Sequence, residues 1–150
     1  MRGGENMHLE RPDKERLARI VDFLQDELDD FKEKFLTIDY KNYSTNNDIR
    51  RNLERCIENI VNASLDAGKI ILINEKISIP DTYREYFLSL GVKDILDKNT
   101  ADILANGVRL RNILAHQYLD IRWQKLEKFI VSDWNAYEIF VDGVKKRYLI

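Results

Sequence analysis

Apolar residues recur every three or four positions in four long segments of the sequence, and no segment shows the sustained alternation of a β-strand. These segments span about residues 13–36, 48–73, 99–115 and 122–146. Each helix with such an apolar stripe must bury it against a neighbour. Because the connections are short, antiparallel packing is favoured, and we predict an all-α, up-and-down helical bundle.

The connections add one short helix to the four long ones. Pro80 ends one connection, after which Asp81 or Thr82 is predicted to cap a short helix that Gly91 stops. Residues 39–48 are rich in Asn, Ser and Thr and are predicted to form a loop. The 150 residues are enough for one domain. We expect residues 1–11 to be a flexible tail, in which His8 is disordered, and residues 12–150 to form a single helical domain.

The composition excludes several kinds of site. One cysteine and two histidines supply neither a disulfide framework nor the ligand spacing of a metal site, and there is no Gly-rich phosphate loop. We therefore expect no metal and no cofactor. A single cysteine, Cys56, is typical of a reducing compartment, which predicts a cytoplasmic protein. No apolar run approaches the ~20 residues needed to cross a membrane.

The charge distribution limits where a polyanion can bind. The formal net charge is −2, whereas strong nucleic-acid binders are usually basic. Residues 101–150 nevertheless carry eight Lys or Arg against six Asp or Glu, while residues 1–100 carry sixteen against twenty. Any site for RNA should therefore be local, lie in the last third of the chain, and make brief contact with a short stretch.

Residues 109–118 form a polar cluster that a solvated helix face does not readily explain. The cluster contains the only histidine outside the N-terminal segment, His116, at the point where an apolar stripe ends. Arg109, Arg111, Asn112 and Tyr118 accompany it. A base that titrates near neutrality beside a planar guanidinium is a suitable pair for cutting RNA without a metal ion. The imidazole would remove the proton of a ribose 2′-hydroxyl, and the guanidinium would neutralise charge on the phosphoryl oxygens.

The spacing of this cluster allows two arrangements. On a continuous helix, five residues at about 100° each place Arg111 and His116 roughly 140° apart. Either the helix ends before His116, or the two residues act together with a second subunit. A helix end at about Ala115 would let Arg111, His116 and Tyr118 reach one cleft, and we favour that arrangement. The motif alone is equally consistent with a surface arginine, a histidine favoured by the helix dipole, and a core tyrosine.

The pattern Arg111-Asn112-x-x-x-His116-x-Tyr118 resembles the R-x-x-x-x-H-x-Y signature of the HepT family, a branch of the HEPN superfamily. The resemblance continues upstream through Arg51-Asn52-Leu53-Glu54-Arg55 and Pro80-x-x-Tyr83-Arg84-Glu85-x-Phe87, and covers roughly residues 10–130. There are two departures. Gly107 lies four residues before Arg111, where the family often has a Gly-aromatic pair directly before its Arg-Asn, and residues from about 133 onward match no motif of the family.

The resemblance implies a HEPN-like helical bundle that dimerises, so that two Arg/His sets meet in a cleft and cut RNA without a metal. It implies catalytic roles for Arg111 and His116, with Arg109 and Asn112 in support. It also implies a partner, an MntA-type nucleotidyltransferase antitoxin, which neutralises the toxin by transferring AMP to the motif tyrosine, here Tyr118. The expected function is that of a type VII toxin–antitoxin ribonuclease.

Two questions stay open at the level of sequence. The alternative function is a non-catalytic dimeric binding subunit of a nucleotidyltransferase complex, although such a subunit has no need for a histidine beside an arginine. Asn59 and Asn62 interrupt an apolar helix and are either a buried polar pair that supports the site or simply exposed.

Overall fold

The computed structural model describes residues 9–150, and all regular secondary structure in that range is helical. The all-α fold expected from the apolar stripes is confirmed, whereas residues 1–8, with most of the predicted tail and His8, lie outside the described residues. The elements in chain order are α1 (Arg11–Lys34), α2 (Tyr40–Thr45), α3 (Asn47–Asn74), α4 (Tyr83–Val92), α5 (Lys98–His116), α6 (Leu119–Lys128), a π-helical turn (Phe129–Asp133) and α7 (Trp134–Tyr148).

Helix α3 lies at the centre of the packing. It contacts α1, α2, α4 and α5, while α7 closes the bundle against α1 and α5. Its small residues Ala63, Ser64 and Ala67 are buried, and the Ser64 hydroxyl donates to the Ile60 carbonyl oxygen at 2.8 Å. The stripe of α1 is buried in the same core through Leu17, Val21, Leu24, Leu28 and Phe31.

The loop predicted for residues 39–48 is wrong, because α2 forms within it. The Asp39 carboxylate caps this helix by accepting the Asn42 N–H at 2.8 Å. Tyr43 is fully buried, and its hydroxyl donates to the Glu54 carboxylate on α3. Six residues are too few for a stable isolated helix, so these tertiary contacts hold α2 in place.

Two other predicted boundaries differ from the structure. Gly91 does not stop the short helix but lies inside it, buried where an added Cβ would come within 2.8 Å of the Ala101 Cβ. Thr82 occupies the N-cap position of α4 without a side-chain capping bond. The last long segment begins earlier than predicted, at Leu119, and a π-helical turn divides it into α6 and α7.

Gly107 of α5 lies directly against Tyr137 of α7. A Cβ at this position would overlap the Tyr137 hydroxyl and lie 3.3 Å from Cγ2 of Val61. Tyr137 is completely buried, and burial raises the pKa of its hydroxyl above the usual value, with a further contribution from Asp133. The departure at Gly107 therefore has a structural reason, since only a glycine leaves room for this tyrosine one turn before Arg111.

We predict that Gly107→Ala lowers the free energy of unfolding by about 1–3 kcal/mol, because the methyl group forces Tyr137 out of its packed position. Urea denaturation followed by circular dichroism measures the change. Gly143→Ala is the matched control: Gly143 is also helical, but an added Cβ there meets nothing within 4 Å, so this variant should be stabilised by up to ~1 kcal/mol. Equal stability of Gly107→Ala and the parent would contradict the prediction.

Candidate active site

Helix α5 carries the sequence motif, and specific residues fix where it begins and where it ends. At its start, the Asp97 carboxylate accepts the Thr100 N–H at 2.9 Å and the Thr100 hydroxyl at 2.6 Å, which holds the pKa of Asp97 below its usual value. At its end, His116 is the last helical residue and Gln117 turns to an extended conformation. The predicted end at about Ala115 is therefore one residue too early, and His116 belongs to the helix.

Arg111 is held from two neighbouring helices. Its Nη1 donates to Oδ1 of Asn62 on α3 at 2.6 Å, and its guanidinium carbon lies 5.4 Å from the centre of the Tyr83 ring on α4. Its remaining N–H groups have no hydrogen-bond partner among residues 9–150. The guanidinium is therefore fixed in position while most of its donors stay available for an anionic ligand.

An open pocket of about 520 Å³ lies beside this arginine. Three of the predicted site residues, Arg109, Arg111 and Asn112, line it together, and His116 and Tyr118 are not among its lining residues. The other lining residues come from the start of α4 and one turn of α5: Asp81, Thr82, Tyr83, Arg84 and Val108.

His116 does not share a face with Arg111 within one protomer. Because α5 is helical up to and including His116, the five-residue spacing places the two side chains roughly 140° apart around the axis. The favoured arrangement, in which the helix ends early and gathers Arg111, His116 and Tyr118, is therefore wrong.

Tyr118 lies in the two-residue connection between α5 and α6, and 83% of its surface is exposed. His116 is exposed as well. Both residues therefore face solvent in the single chain, where another protein could reach them.

The start of α6 is anchored to α3 behind this connection. Arg122 donates to Oε1 of Glu54 at 3.0 Å, and its backbone N–H donates to the Tyr118 carbonyl oxygen at 2.9 Å. The other Glu54 oxygen accepts the Tyr43 hydroxyl, whose pKa is raised above its usual value first by burial and then by this hydrogen bond. The ion pair is mostly buried, with about a fifth of each side chain exposed.

Sequence reasoning left two residues of this site without a firm role. Asn62 was one of two asparagines that interrupt the α3 stripe, and the structure separates them: Asn62 binds Arg111, whereas Nδ2 of Asn59 donates to Glu27 at 2.6 Å. Tyr83 was named only within the segment Pro80-x-x-Tyr83-Arg84-Glu85-x-Phe87, with no role of its own. The signal for Asn62 was its polarity within an apolar stripe; Tyr83 gave no such signal.

Among residues 9–150, no three or more His, Cys, Asp or Glu side chains are grouped so as to hold a metal ion. No helix in the described range has the length and apolar character to span a membrane.

Comparison with known sequences identifies a family. The model of the family described as "Ribonuclease HepT-like" matches residues 15–144. A curated protein, the mRNA nuclease HepT of Shewanella oneidensis, is 28% identical over 94 residues, which are 63% of this chain and 68% of that protein.

Comparison with solved structures gives the same fold. A mutant MntA–HpeT toxin–antitoxin matches with a TM-score of 0.74 and 18% identity, covering 87% of this chain and 98% of that one. A toxin–antitoxin with AMP-PNP matches with a TM-score of 0.77 and 16% identity, over 87% and 97%. A tri-AMPylated Shewanella oneidensis HEPN toxin in complex with an MNT antitoxin matches with a TM-score of 0.73 and 19% identity, over 87% and 96%.

We predict that Glu54→Gln lowers the free energy of unfolding by about 1–3 kcal/mol, because it leaves the largely buried Arg122 without its counter-charge. Urea denaturation at neutral pH measures the loss. Glu58→Gln, an exposed position on the same helix, is the matched control and should change stability by less than about 0.5 kcal/mol. Equal effects of the two substitutions would mean that the ion pair does not anchor α6.

Proposed function

Because the chain belongs to the HepT-like ribonuclease family, whose model matches residues 15–144, we propose that it is the toxin of a type VII toxin–antitoxin pair, a metal-independent endoribonuclease that acts in the cytoplasm. The observation that carries the proposal is the guanidinium of Arg111, fixed by Asn62 and Tyr83 with most of its donors free. A cation held in place before the substrate arrives stabilises developing charge without the cost of reorganisation.

In the proposed reaction, His116 accepts the proton of a ribose 2′-hydroxyl. The 2′-oxygen attacks the adjacent phosphorus, the bond from phosphorus to the 5′-oxygen breaks, and the leaving oxygen takes a proton from water. The products are a 2′,3′-cyclic phosphate and a free 5′-hydroxyl. Arg111 neutralises the charge that accumulates on the phosphoryl oxygens, with Arg109 and Asn112 beside it in the same pocket.

We further propose that the active unit is a symmetric homodimer. Arg111 and His116 point to different sides of α5. A phosphate bound to a single chain can therefore contact Arg111 or His116, but not both. A two-fold axis beside this helix would bring Arg111 of one protomer to His116 of its partner, so that each of the two sites combines a cation from one chain with a base from the other. The exposure of His116 supports this arrangement.

The proposed regulator is an MntA-like nucleotidyltransferase, and Tyr118 is the proposed acceptor. The phenolic oxygen of Tyr118 would attack the α-phosphorus of ATP, forming a tyrosyl–AMP bond, releasing pyrophosphate and losing its proton to the partner enzyme or solvent. The 83% exposure of Tyr118 meets the need for access. Its position two residues from His116 means that the bound phosphate and nucleoside would exclude RNA by bulk and by like charge.

We predict that Arg111→Ala and His116→Ala each abolish toxicity while the helical signal stays intact. Loss of the positioned base should slow RNA cleavage by roughly 10²–10⁴-fold, and loss of the charge-stabilising donor by about 10²–10³-fold. Cleavage of a single-stranded RNA in the presence of EDTA is the assay, with identification of the 2′,3′-cyclic end. If both variants cut as fast as the parent, the binding-subunit function takes the place of the enzyme.

The same two variants also test whether each site takes Arg111 from one protomer and His116 from the other. Refolding Arg111→Ala together with His116→Ala in equal amounts yields dimers of which about half are mixed, and in every mixed dimer one of the two sites combines an intact Arg111 with an intact His116. Activity should return to roughly a quarter of the parent value if each site spans two protomers. Each variant refolded alone is the control, and the absence of any recovery in the mixture would place both residues of a site in one chain.

We predict that Tyr118→Phe cuts RNA at close to the parent rate but escapes neutralisation, because only the acceptor oxygen is removed. Intact-mass analysis after co-expression with an MntA-like partner measures the transfer of AMP. Tyr40→Phe, another exposed tyrosine, is the control and should be modified like the parent. Undiminished transfer to Tyr118→Phe would place the acceptor elsewhere in the chain.

A further inference from the structure

The pocket beside Arg111 has more recognition chemistry than the cleavage step requires. Besides Arg111 it presents an exposed aromatic ring, Tyr83, and two further guanidinium groups, Arg84 and Arg109. We infer that it is a nucleotide-binding subsite for single-stranded RNA, in which one unpaired base stacks on Tyr83 while Arg84 and Arg109 bind the neighbouring phosphates. This inference rests on the proposed function and specifies how the proposed cleavage site binds its RNA substrate.

Tyr83 has the exposure and the rigidity of a stacking platform. It is 54% exposed, yet its ring packs edge-on against the buried Tyr86, with 5.4 Å between the ring centres and an 81° angle between the planes. The Arg111 guanidinium lies against the same ring. A ring that is already fixed loses little entropy when a base stacks on it, and a stacked base is held without regard to its identity.

The charge of the pocket suits the phosphates that flank such a base. Three arginines face a single acid, Asp81, and neither Arg84 nor Arg109 forms an ion pair within residues 9–150. The chain as a whole is acidic, with a net charge of −2, so this is a local excess of positive charge. Uncompensated arginines attract phosphates and release counterions when they bind.

Size and shape also favour a single strand. The volume of about 520 Å³ is within the ordinary range of ligand pockets, roughly 300–1,000 Å³. A base can reach the Tyr83 ring only if it is unstacked from its neighbours, which is characteristic of loops, bulges and ends of RNA rather than of a duplex.

The direct test measures binding separately from cleavage. The probe is a fluorescein-labelled single-stranded RNA with 2′-O-methyl groups throughout, which lacks the attacking hydroxyl and cannot be cut. Fluorescence anisotropy should show roughly 5- to 150-fold weaker binding for Tyr83→Leu, whereas Tyr83→Trp retains affinity. Tyr40→Leu is the matched control, because Tyr40 is also an exposed tyrosine packed against another aromatic ring, that of Trp123, and it should bind like the parent.

A double-mutant comparison separates stacking from an indirect effect through Arg111. If Tyr83 holds a base, Tyr83→Leu weakens binding by a similar factor in the Arg111→Ala background. If Tyr83 acts only by positioning the guanidinium, its effect disappears there and the stacking proposal is overturned. Arg84→Ala should also reduce the slope of log affinity against log salt by about 0.7, whereas Arg11→Ala, on an exposed side chain at the start of α1, should not.

The outcomes distinguish this inference from the proposed function. If the parent cuts unmodified RNA but Tyr83→Leu binds the methylated probe as tightly as the parent, only the subsite is wrong. If binding depends on Tyr83 but the parent cuts no RNA, only the ribonuclease is wrong. Circular dichroism of each variant confirms that the comparison is made between folded proteins.

Discussion

The packing of α3 against four other helices is the constraint on which the rest of the molecule depends. Between residues 60 and 72 of this helix, ten of thirteen residues are buried, so that apolar contacts surround it on almost every side. A polar side chain in such a segment must find a partner or lose hydrogen bonds to water. Asn62 finds Arg111, and in this way the burial of the central helix determines where the cation of the candidate site is placed.

The site combines a rigid part and an accessible part. Arg111 is fixed between α3 and α4, and the start of α6 is tied to α3 through Glu54 and Arg122. Between these fixed points, His116 and Tyr118 remain exposed. Such a division suits a protein in which one group must be held in place for chemistry while its neighbours must be reached by a second subunit or a modifying enzyme.

Much of this fold could be predicted from the sequence, because the buried stripes of the long helices follow local spacing. What could not be predicted depends on contacts distant in the sequence. Helix α2 is held by the bond from Tyr43 to Glu54, and its own residues are polar enough to suggest a loop. Likewise the motif predicted Arg111, His116 and Tyr118 as site residues, a prediction that remains to be tested, but the roles of Asn62 and Tyr83 follow only from the packing of three helices.

The π-helical turn between α6 and α7 makes the placement of α7 depend on the number of residues in the turn rather than on their chemistry. This turn, at Phe129–Asp133, contains one more residue than an α-helical turn, and each residue advances a helix by about 100°. The additional residue therefore determines how α7 is rotated about its axis, and this rotation directs Tyr137 toward Gly107. A chain of different sequence can keep this arrangement if it keeps the number of residues in the turn. Deletion of a single residue here would turn the apolar face of α7 away from the core, although every side chain of that helix would be unchanged.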